Sequence, residues 1–306
     1  MERIWGGRAL ETIYGRVLPI PNAPFGEAWE IVDRDDAQSV VCDGEFFGMT
    51  LHDLWKSHRG EIFGDALPHS ERFPLLIKIL DSADDLSIQV HPPASIAGQL
   101  GGEPKTEMWF IADAKPGATL YVGLRKGATR LTLEQSITEG SVAEQVHAIR
   151  PRIGDSIFIE SGRLHAIGAG FLIHEIQQNS DTTYRVFDWN RTDSEGKARE
   201  LHLTESLACI NFSDFEPEMD TPSGDTLAVC PFFKTTLHDL QIGEIISNPL
   251  PDYFSLITVV NGCLENTHMA GQTLLLPKGS KGLAATTTTR ALQITVPGMP
   301  ESGHAI

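Results

Sequence analysis

The chain has 306 residues, of which 41% are hydrophobic and 21% charged, and its formal net charge is −17. These values indicate a soluble globular protein of about two domains and argue against nucleic acid or an anionic membrane surface as a partner, since both require a basic surface. No segment has the pattern of a membrane-spanning helix or a secretion signal, and four scattered cysteines (Cys42, Cys209, Cys230, Cys263) form neither a CxxC metal motif nor a disulfide framework, so we expect a cytoplasmic protein.

Short runs of β-type residues, separated by Gly, Pro and Asp, dominate the chain. The predicted strands of the first 200 residues are 28–33, 75–80, 86–91, 108–112, 119–124, 156–160, 171–177 and 183–189. After residue 220 the predicted strands have the sequences TLAVC, FKTTLHDL, FSLITVV, QTLLLP and RALQITVP. Many short strands with turn residues between them predict a β-sandwich or a barrel.

Helical patterns are fewer. The stretch TLHDLWKSH predicts a helix with Thr50 as its N-cap, and TLEQSITEGSVAEQV (132–146) predicts a helix that is broken at Gly140. A third helix is predicted in TESLACINF, with Thr204 as N-cap and Glu205 in the first turn.

One segment predicts a boundary between two domains. The stretch SDFEPEMDTPSGD (213–225) is acidic, contains Pro, Gly and Ser, and has few apolar residues. We therefore expect an N-terminal domain over residues 1–212 and a C-terminal domain over residues 222–306.

Two twelve-residue stretches share a frame of glycine and apolar positions. They are GDSIFIESGRLH (154–165) and GQTLLLPKGSKG (271–282), and the first ends in His165 where the second ends in Gly282. The match indicates two related β-domains, of which only the first keeps a functional histidine.

Four residues are candidates for one metal site. Gln89 and His91 in LSIQVHPP are two residues apart on a predicted strand and therefore point to the same face. Glu107 begins the strand EMWFIA, and His165 follows a turn after SIFIE. Two imidazoles, a carboxylate and a carboxamide oxygen make an N/O donor set for a borderline divalent ion such as zinc. Taken singly, a QVH at a surface strand end or a solvated Glu107 is the more ordinary interpretation.

The stretch HEIQQNSDTTYRVFDWNR (174–191) concentrates charge around two strands. It contains Glu175, Asp181, Arg185 and Arg191. An arginine on the apolar side of a strand needs a partner, which leaves two alternatives open for Arg185. It either forms a structural ion pair with Asp181 or Glu175, or it faces a bound anion.

Four motifs together resemble one family. LSIQVHPP, KTEMWFI, GDSIFIESGRLHAIGAG and EIQQNSDTTYRVFDWNR, in this order, are similar to type I mannose-6-phosphate isomerases of the short bacterial form, and ERIWGG and FGEAWEIVDR fit the same family. The resemblance is strongest over residues 1–205. It implies a mostly-β fold of two cupin (jelly-roll) β-sandwich domains with a small helical elaboration, in which domain 1–212 is catalytic and domain 222–306 is a degenerate cupin without metal ligands.

The resemblance also implies the residues of the site and its reaction. One zinc ion per chain would be bound by Gln89, His91, Glu107 and His165. The implied reaction interconverts mannose 6-phosphate and fructose 6-phosphate through a cis-enediol, in a monomer or homodimer. The further active-site positions implied are Lys105, Glu175, Asp181 and Arg185.

For the proton transfer we expect Asp181 or Glu175 as the base, ahead of Lys105 with a lowered pKa, and Arg185 at the developing oxyanion. The chain departs from the general cupin pattern at Glu160, where that pattern has proline, and this predicts a looser turn before His165. Residues for the phosphate are not identified by any motif, and the only candidates are Arg191, Lys78 and Arg163.

Two other functions remain open. Two histidines and one carboxylate also suit an iron cupin oxygenase, although Gln89 and the cations Lys105 and Arg185 argue against it. A non-catalytic sugar-phosphate-binding protein would keep the metal ligands but not the acid–base groups.

Overall fold

The computed structural model describes residues 1–67, 69–192 and 196–298. It confirms the predicted mostly-β class. The chain forms two compact units, one from Met1–Ala28 and Ile77–Asp220 and the other from Trp29–Leu76 and Thr221–Ile306. The division into domains 1–212 and 222–306 stays a prediction, and its residues 299–306 lie outside the described residues. None of the helices in the described residues combines the length and the apolarity needed to span a bilayer.

The strands overlap every stretch predicted to be β. In chain order they are β1 (Glu2–Gly7), β2 (Glu27–Ile31), β3 (Asp33–Arg34), β4 (Ala37–Gln38), β5 (Leu75–Ser82), β6 (Ile88–Val90), β7 (Glu107–Ala114), β8 (Leu120–Leu124), β9 (Val146–Ile149), β10 (Ser156–Ile159), β11 (His165–Ile167), β12 (Phe171–Gln178), β13 (Tyr184–Phe187), β14 (Thr226–Val229), β15 (Lys234–Leu240), β16 (Ile245–Ile246), β17 (Ser255–Asn261), β18 (Cys263–Leu264), β19 (His268–Met269), β20 (Thr273–Leu276), β21 (Leu283–Ala284) and β22 (Thr289–Thr295).

The helices are short. They are α1 (Ala9–Thr12), α2 (Leu51–Ser57), α3 (Ala94–Ala97), α4 (Arg130–Glu139) and α5 (Leu203–Cys209), with a π-helical turn at Arg59–Phe63 and 3₁₀ turns at Gly98–Leu100 and Val142–Gln145.

In the first unit, two antiparallel sheets carry the candidate site residues. One sheet has the strand order β1-β5-β12-β7-β10, and the other has the order β13-β6-β11-β8-β9. Alternating apolar residues of both sheets form one buried cluster, which includes Trp109 and Ile173 from the first sheet and Val122 and Ile167 from the second. The polar residues at the ends of these strands then lie at the rim of a sandwich.

The second unit contains a five-stranded sheet of order β14-β15-β22-β17-β20. Beside it, four aromatic rings pack edge to face or tilted, and the ring centroids of Phe63 and Phe254 lie 5.1 Å apart. Helix α2 starts at the predicted cap, because the Thr50 side chain accepts from the N–H of Asp53 and the Asp53 carboxylate accepts in return.

The two frames that match in sequence also match in backbone conformation. Residues 156–159 and 273–276 are both strands, at equivalent positions of the two stretches. The glycines at the frame positions all have positive φ, at 94° and 95° for Gly154 and Gly162 and at 84° and 71° for Gly271 and Gly279. Such values favour glycine, which explains why these positions recur.

Two helix starts differ from the prediction. Helix α4 begins at Arg130 with Thr129 as its N-cap, and it ends at Gly140, where φ is 73°. Helix α5 begins at Leu203, so the prediction of Thr204 as its cap is wrong. The reason is a pair of hydrogen bonds to a residue that is distant in sequence. The N–H of His202 donates to the carbonyl of Arg185 at 2.8 Å and His202 Nδ1 accepts from the N–H of Arg185 at 3.2 Å, which fixes the chain to β13 just before the helix.

Strand β1 approaches residues 25–27 so closely that only glycine fits at two positions. A Cβ atom on Gly6 would lie 2.6 Å from the carbonyl carbon of Phe25, and one on Gly26 would lie 2.8 Å from Cβ of Arg3. This approach sets the wall from which Arg3 and Glu27 reach the cavity of the first unit.

We expect Gly6→Ala to lower the free energy of unfolding by about 1–3 kcal/mol, because the added methyl group overlaps backbone atoms that cannot move independently. Gly98→Ala is the matched control, since a Cβ there meets no atom within 4 Å and its φ is −64°. The control should leave stability unchanged or raise it by up to about 1 kcal/mol. Denaturant unfolding of both variants measures the difference, and equal midpoints would contradict the steric argument.

Candidate active site

Strand ends of both sheets bring three buried ligand-type residues together. Glu107 is the first residue of β7, His165 the first residue of β11, and His91 directly follows β6. Their ligand atoms all lie within 4.8 Å of one another. His91 Nε2 is 3.5 Å from Glu107 Oε2, and His165 Nε2 is 3.8 Å from Glu107 Oε1. These three residues can hold a metal ion.

Each histidine is oriented by its second ring nitrogen. His91 Nδ1 donates to the carbonyl of Thr182 and His165 Nδ1 donates to the carbonyl of Arg163, both at 2.9 Å. Since a carbonyl can only accept, the protons reside on Nδ1 and the Nε2 lone pairs face Glu107. Burial and the neighbouring Lys105 lower the pKa of His91, and burial and His91 lower the pKa of His165 to about 3. Both imidazoles are therefore neutral, as metal ligands must be.

Gln89 lies beside His165, as the strand pairing requires, because the two residues are directly opposite on β6 and β11. The amide nitrogen of Gln89 is 3.4 Å from His165 Nε2, and Ser87 Oγ donates to Gln89 Oε1 at 3.2 Å. A half-turn of the terminal amide exchanges its oxygen and nitrogen at little cost and directs the oxygen toward the histidine pair. The carboxamide oxygen can thus supply a fourth donor.

Glu107 is a buried carboxylate whose oxygens are not used in hydrogen bonds. Lys105 Nζ forms an ion pair with Glu107 Oε2 at 2.7 Å and lies 3.2 Å from His91 Nε2, but neither Glu107 oxygen has a hydrogen-bond partner among the described residues. Burial alone would raise the pKa of Glu107, but the positive charge of Lys105 outweighs it and holds that pKa well below the ordinary value. An ionised carboxylate with a free lone pair, facing two neutral imidazoles, fits a divalent cation.

Lys105 differs from the expectation of a lowered pKa. Burial alone lowers the pKa of Lys105, but the carboxylates of Glu107 and Glu175 overcome this effect and raise it. The lysine is therefore a fixed positive charge in this structure rather than a base.

A second charged group lies next to the first, around Lys78. Lys78 Nζ is 3.5 Å from Asp181 Oδ1, 3.7 Å from Glu175 Oε1 and 3.9 Å from Glu27 Oε2. Glu175 is buried, whereas the Asp181 side chain is 48% exposed. Lys78 was only a weak candidate from sequence. Its central position in the apolar stretch LLIKIL is the signal that could have identified it, because a buried lysine needs carboxylate partners.

Arg185 has a polar environment but does not form the ion pair with Asp181 or Glu175 that the sequence allowed. Its Nη1 donates to the carbonyl of Glu200 at 2.8 Å, and its Nε is buried without a hydrogen-bond partner. No ion pair joins it to Glu175 or Asp181 within the described part of the chain. Arg191 pairs with Asp84 and Asp188 and Arg163 pairs with Asp214, so these two arginines have partners of their own.

One cavity of about 460 Å³ in the first unit collects most of the predicted residues. It is lined by Gln89, Lys105, His165, Glu175, Asp181 and Arg185. His91 and Glu107 lie behind this lining. Lys78, a weak candidate from sequence, also lines it, as do Arg3, Glu27, Trp109 and Arg199, which sequence reasoning did not select.

Comparison with known proteins shows the family of the chain. Residues 1–106 match the model of the phosphomannose isomerase type I catalytic domain. Over 274 residues, 85% of this chain and 83% of the relative, the sequence is 39% identical to mannose-6-phosphate isomerase ManA of Bacillus subtilis (strain 168). The crystal structure of mannose 6-phosphate isomerase from Bacillus subtilis matches with a TM-score of 0.85 and 31% identity over 97% of both chains. A mannose 6-phosphate isomerase bound with zinc and yttrium shares the fold, with a TM-score of 0.72 and 16% identity over 97% of both chains. The chain belongs to the type I mannose-6-phosphate isomerase family.

Proposed function

We propose that this protein interconverts mannose 6-phosphate and fructose 6-phosphate, with one zinc ion in the site of His91, Glu107 and His165. The observation that carries the proposal is the convergence of two neutral Nε2 lone pairs on a buried carboxylate, at the edge of a cavity lined by Lys105, Glu175 and Arg185. Family membership supplies the sugar phosphates as the substrate class.

Zinc would be held by Gln89, His91, Glu107 and His165. Two imidazoles and an amide are neutral and one carboxylate is negative, so a divalent ion keeps a net positive charge. A bound zinc ion of this kind supplies Lewis acidity toward substrate oxygens. Gln89 contributes an oxygen dipole without adding negative charge, which preserves that Lewis acidity.

The residues around the cavity would carry the proton between C1 and C2 of the open-chain sugar. We assign this transfer to Glu175. It would take the proton from C2 of the open-chain aldose, which gives the cis-enediol, and return it to C1. Burial and the neighbouring Glu107 raise the pKa of Glu175, which strengthens it as a base. Asp181 is half exposed at the edge of the site, and Lys78 contacts both carboxylates.

Two cations would balance the negative charge that develops on the sugar oxygens. Arg185 has a buried Nε without a hydrogen-bond partner among the described residues, so it can donate to an oxyanion at no loss of an existing bond. Lys105 Nζ sits between Glu107 and Glu175 and supplies a second positive charge.

We also propose that the protein acts in the cytoplasm as a monomer or homodimer, and that catalysis belongs to domain 1–212. The four cysteines are free thiols, as expected in a reducing compartment. Every proposed ligand and catalytic residue lies before residue 212, and the second sequence frame has Gly282 in place of a histidine.

We expect chelation to abolish interconversion of mannose 6-phosphate and fructose 6-phosphate, and zinc to restore it. The reason is that the side chains of the site are electron-pair donors and cannot replace the metal ion as a Lewis acid. A coupled assay of the dialysed protein with and without added zinc measures this. Full activity in a preparation shown to be metal-free would refute the zinc proposal.

Histidine substitutions provide a matched pair for the ligand assignment. His165→Ala should reduce bound zinc to well below one ion per chain, because it deletes one of the converging lone pairs. His174→Ala is the control, since His174 is as fully buried but pairs with the Tyr14 hydroxyl at 2.8 Å. Metal analysis after dialysis gives the comparison, and equal zinc loss in both variants would point to a general loss of folding instead of a lost ligand.

Carboxylate substitutions test the base. We expect Glu175→Gln to lower kcat by about 100-fold or more, while Asp181→Asn lowers it by less than about tenfold. Both variants should retain zinc, because neither residue is among the proposed ligands. If Asp181→Asn shows the larger loss in kcat, the proton transfer belongs to Asp181.

A further inference from the structure

Trp109 occupies a position between the proposed metal ligands and the proposed base. It lies on β7, two residues after Glu107 and therefore on the same face of the sheet. It is paired directly with Glu175 of β12 on one side and with Ile157 of β10 on the other. The side chain is 1% exposed and belongs to the apolar cluster between the two sheets, so its position is fixed by packing.

The indole N–H fixes one oxygen of Glu175. Trp109 Nε1 donates to Glu175 Oε2 at 3.0 Å. The other oxygen, Oε1, lies 3.7 Å from the ammonium groups of both Lys78 and Lys105. The indole N–H, carried on a rigid bicyclic ring, thus holds Oε2 and leaves Oε1 directed toward the two lysines. Hydrogen bonds to a buried charged group are stronger than neutral ones and hold its rotamer.

The same indole also contacts a proposed ligand. The ring centroids of Trp109 and His165 lie 5.4 Å apart at an interplanar angle of 78°, an edge-to-face arrangement. His165 is held from behind by the carbonyl of Arg163. The indole therefore contacts both the imidazole and the carboxylate.

We propose that Trp109 is a positioning residue for Glu175 in the isomerisation, an inference that rests on the proposed function. The N–H of the indole orients the carboxylate, and the ring packs edge to face against His165. Misplacement of a reacting group by about 1 Å can cost on the order of 100-fold in rate. The loss is expected in kcat more than in KM, because the indole N–H is used by Glu175 and acts through it.

The sharpest test removes only the hydrogen-bond donor. Benzothienylalanine at position 109 keeps the bicyclic shape and replaces the N–H by sulfur, whereas the genetically encoded Trp109→Phe removes the donor together with one ring. We expect at least a fivefold fall in kcat, with KM changed by less than about threefold and zinc retained at one ion per chain. The acid limb of the pH profile of kcat should move to higher pH, because loss of a donor to a carboxylate raises its pKa.

Trp55 provides the matched control. It is also 1% exposed and its Nε1 also donates a buried hydrogen bond, to the carbonyl of Ser70 at 3.1 Å, in the second unit. The same replacements at position 55 should leave kcat, KM and the pH profile unchanged at equal loss of thermal stability. If the position-109 variants lose less than fivefold in kcat, or lose no more than the position-55 variants, the inference is overturned. If the zinc-loaded wild-type protein shows no isomerase activity, the proposed function itself fails and the inference with it.

Discussion

The ionised, fully buried carboxylate of Glu107 is the constraint on which the site depends. An isolated carboxylate in a protein interior costs several kcal/mol unless opposite charge and hydrogen bonds compensate it. Here Lys105 Nζ provides the charge at 2.7 Å, and two neutral imidazoles face the same group. The orientation of both imidazoles is set independently, by backbone carbonyls. The donor geometry is therefore set by the folded backbone before any metal ion binds.

That constraint extends into a line of alternating charges across the first unit. The line runs from Arg3 to Glu27 at 2.9 Å, to Lys78 at 3.9 Å, to Glu175 at 3.7 Å, to Lys105 at 3.7 Å and to Glu107 at 2.7 Å. Each interior member has opposite charges on both sides, which is what allows two carboxylates, Glu107 and Glu175, to lie buried near one cavity. A cation bound at Glu107 would compete with Lys105 for this carboxylate and leave more of the lysine's charge to Glu175. The candidate metal site and the proposed acid–base site would thus be electrostatically coupled through Lys105.

Much of this could be predicted from sequence, because strand periodicity is a local signal. The co-facial pair of Gln89 and His91 follows from a spacing of two residues, and His165 meets Gln89 by direct strand pairing. The need of Lys78 for carboxylate partners could be predicted, but the identity of those partners, and of the partner of Trp109, could not, since they come from other parts of the chain. Thr204 failed as a helix cap for a related reason: hydrogen bonds between His202 and Arg185, 17 residues apart, decide where the helix begins.

The turn before His165 can be compared with the equivalent turn in the second frame, residues 271–282. Glu160 in place of proline predicts a looser turn, but the N–H of Arg163 donates to the carbonyl of Glu160 at 3.0 Å, and Gly162 N–H donates to the carbonyl of His91 at 2.8 Å. The turn is therefore closed by backbone hydrogen bonds, one of which joins it to His91, the other histidine of the candidate metal site.

In the second frame the equivalent backbone bond also forms, from the N–H of Ser280 to the carbonyl of Pro277 at 3.3 Å, so proline is not what shapes this turn. The difference lies at the last position. Gly282 has φ of 91°, and a Cβ atom there would lie 2.6 Å from the carbonyl oxygen of Ile246. The second frame has thus lost the room for a histidine as well as the histidine itself, and a single Gly282→His substitution could not recreate a ligand there without moving the backbone.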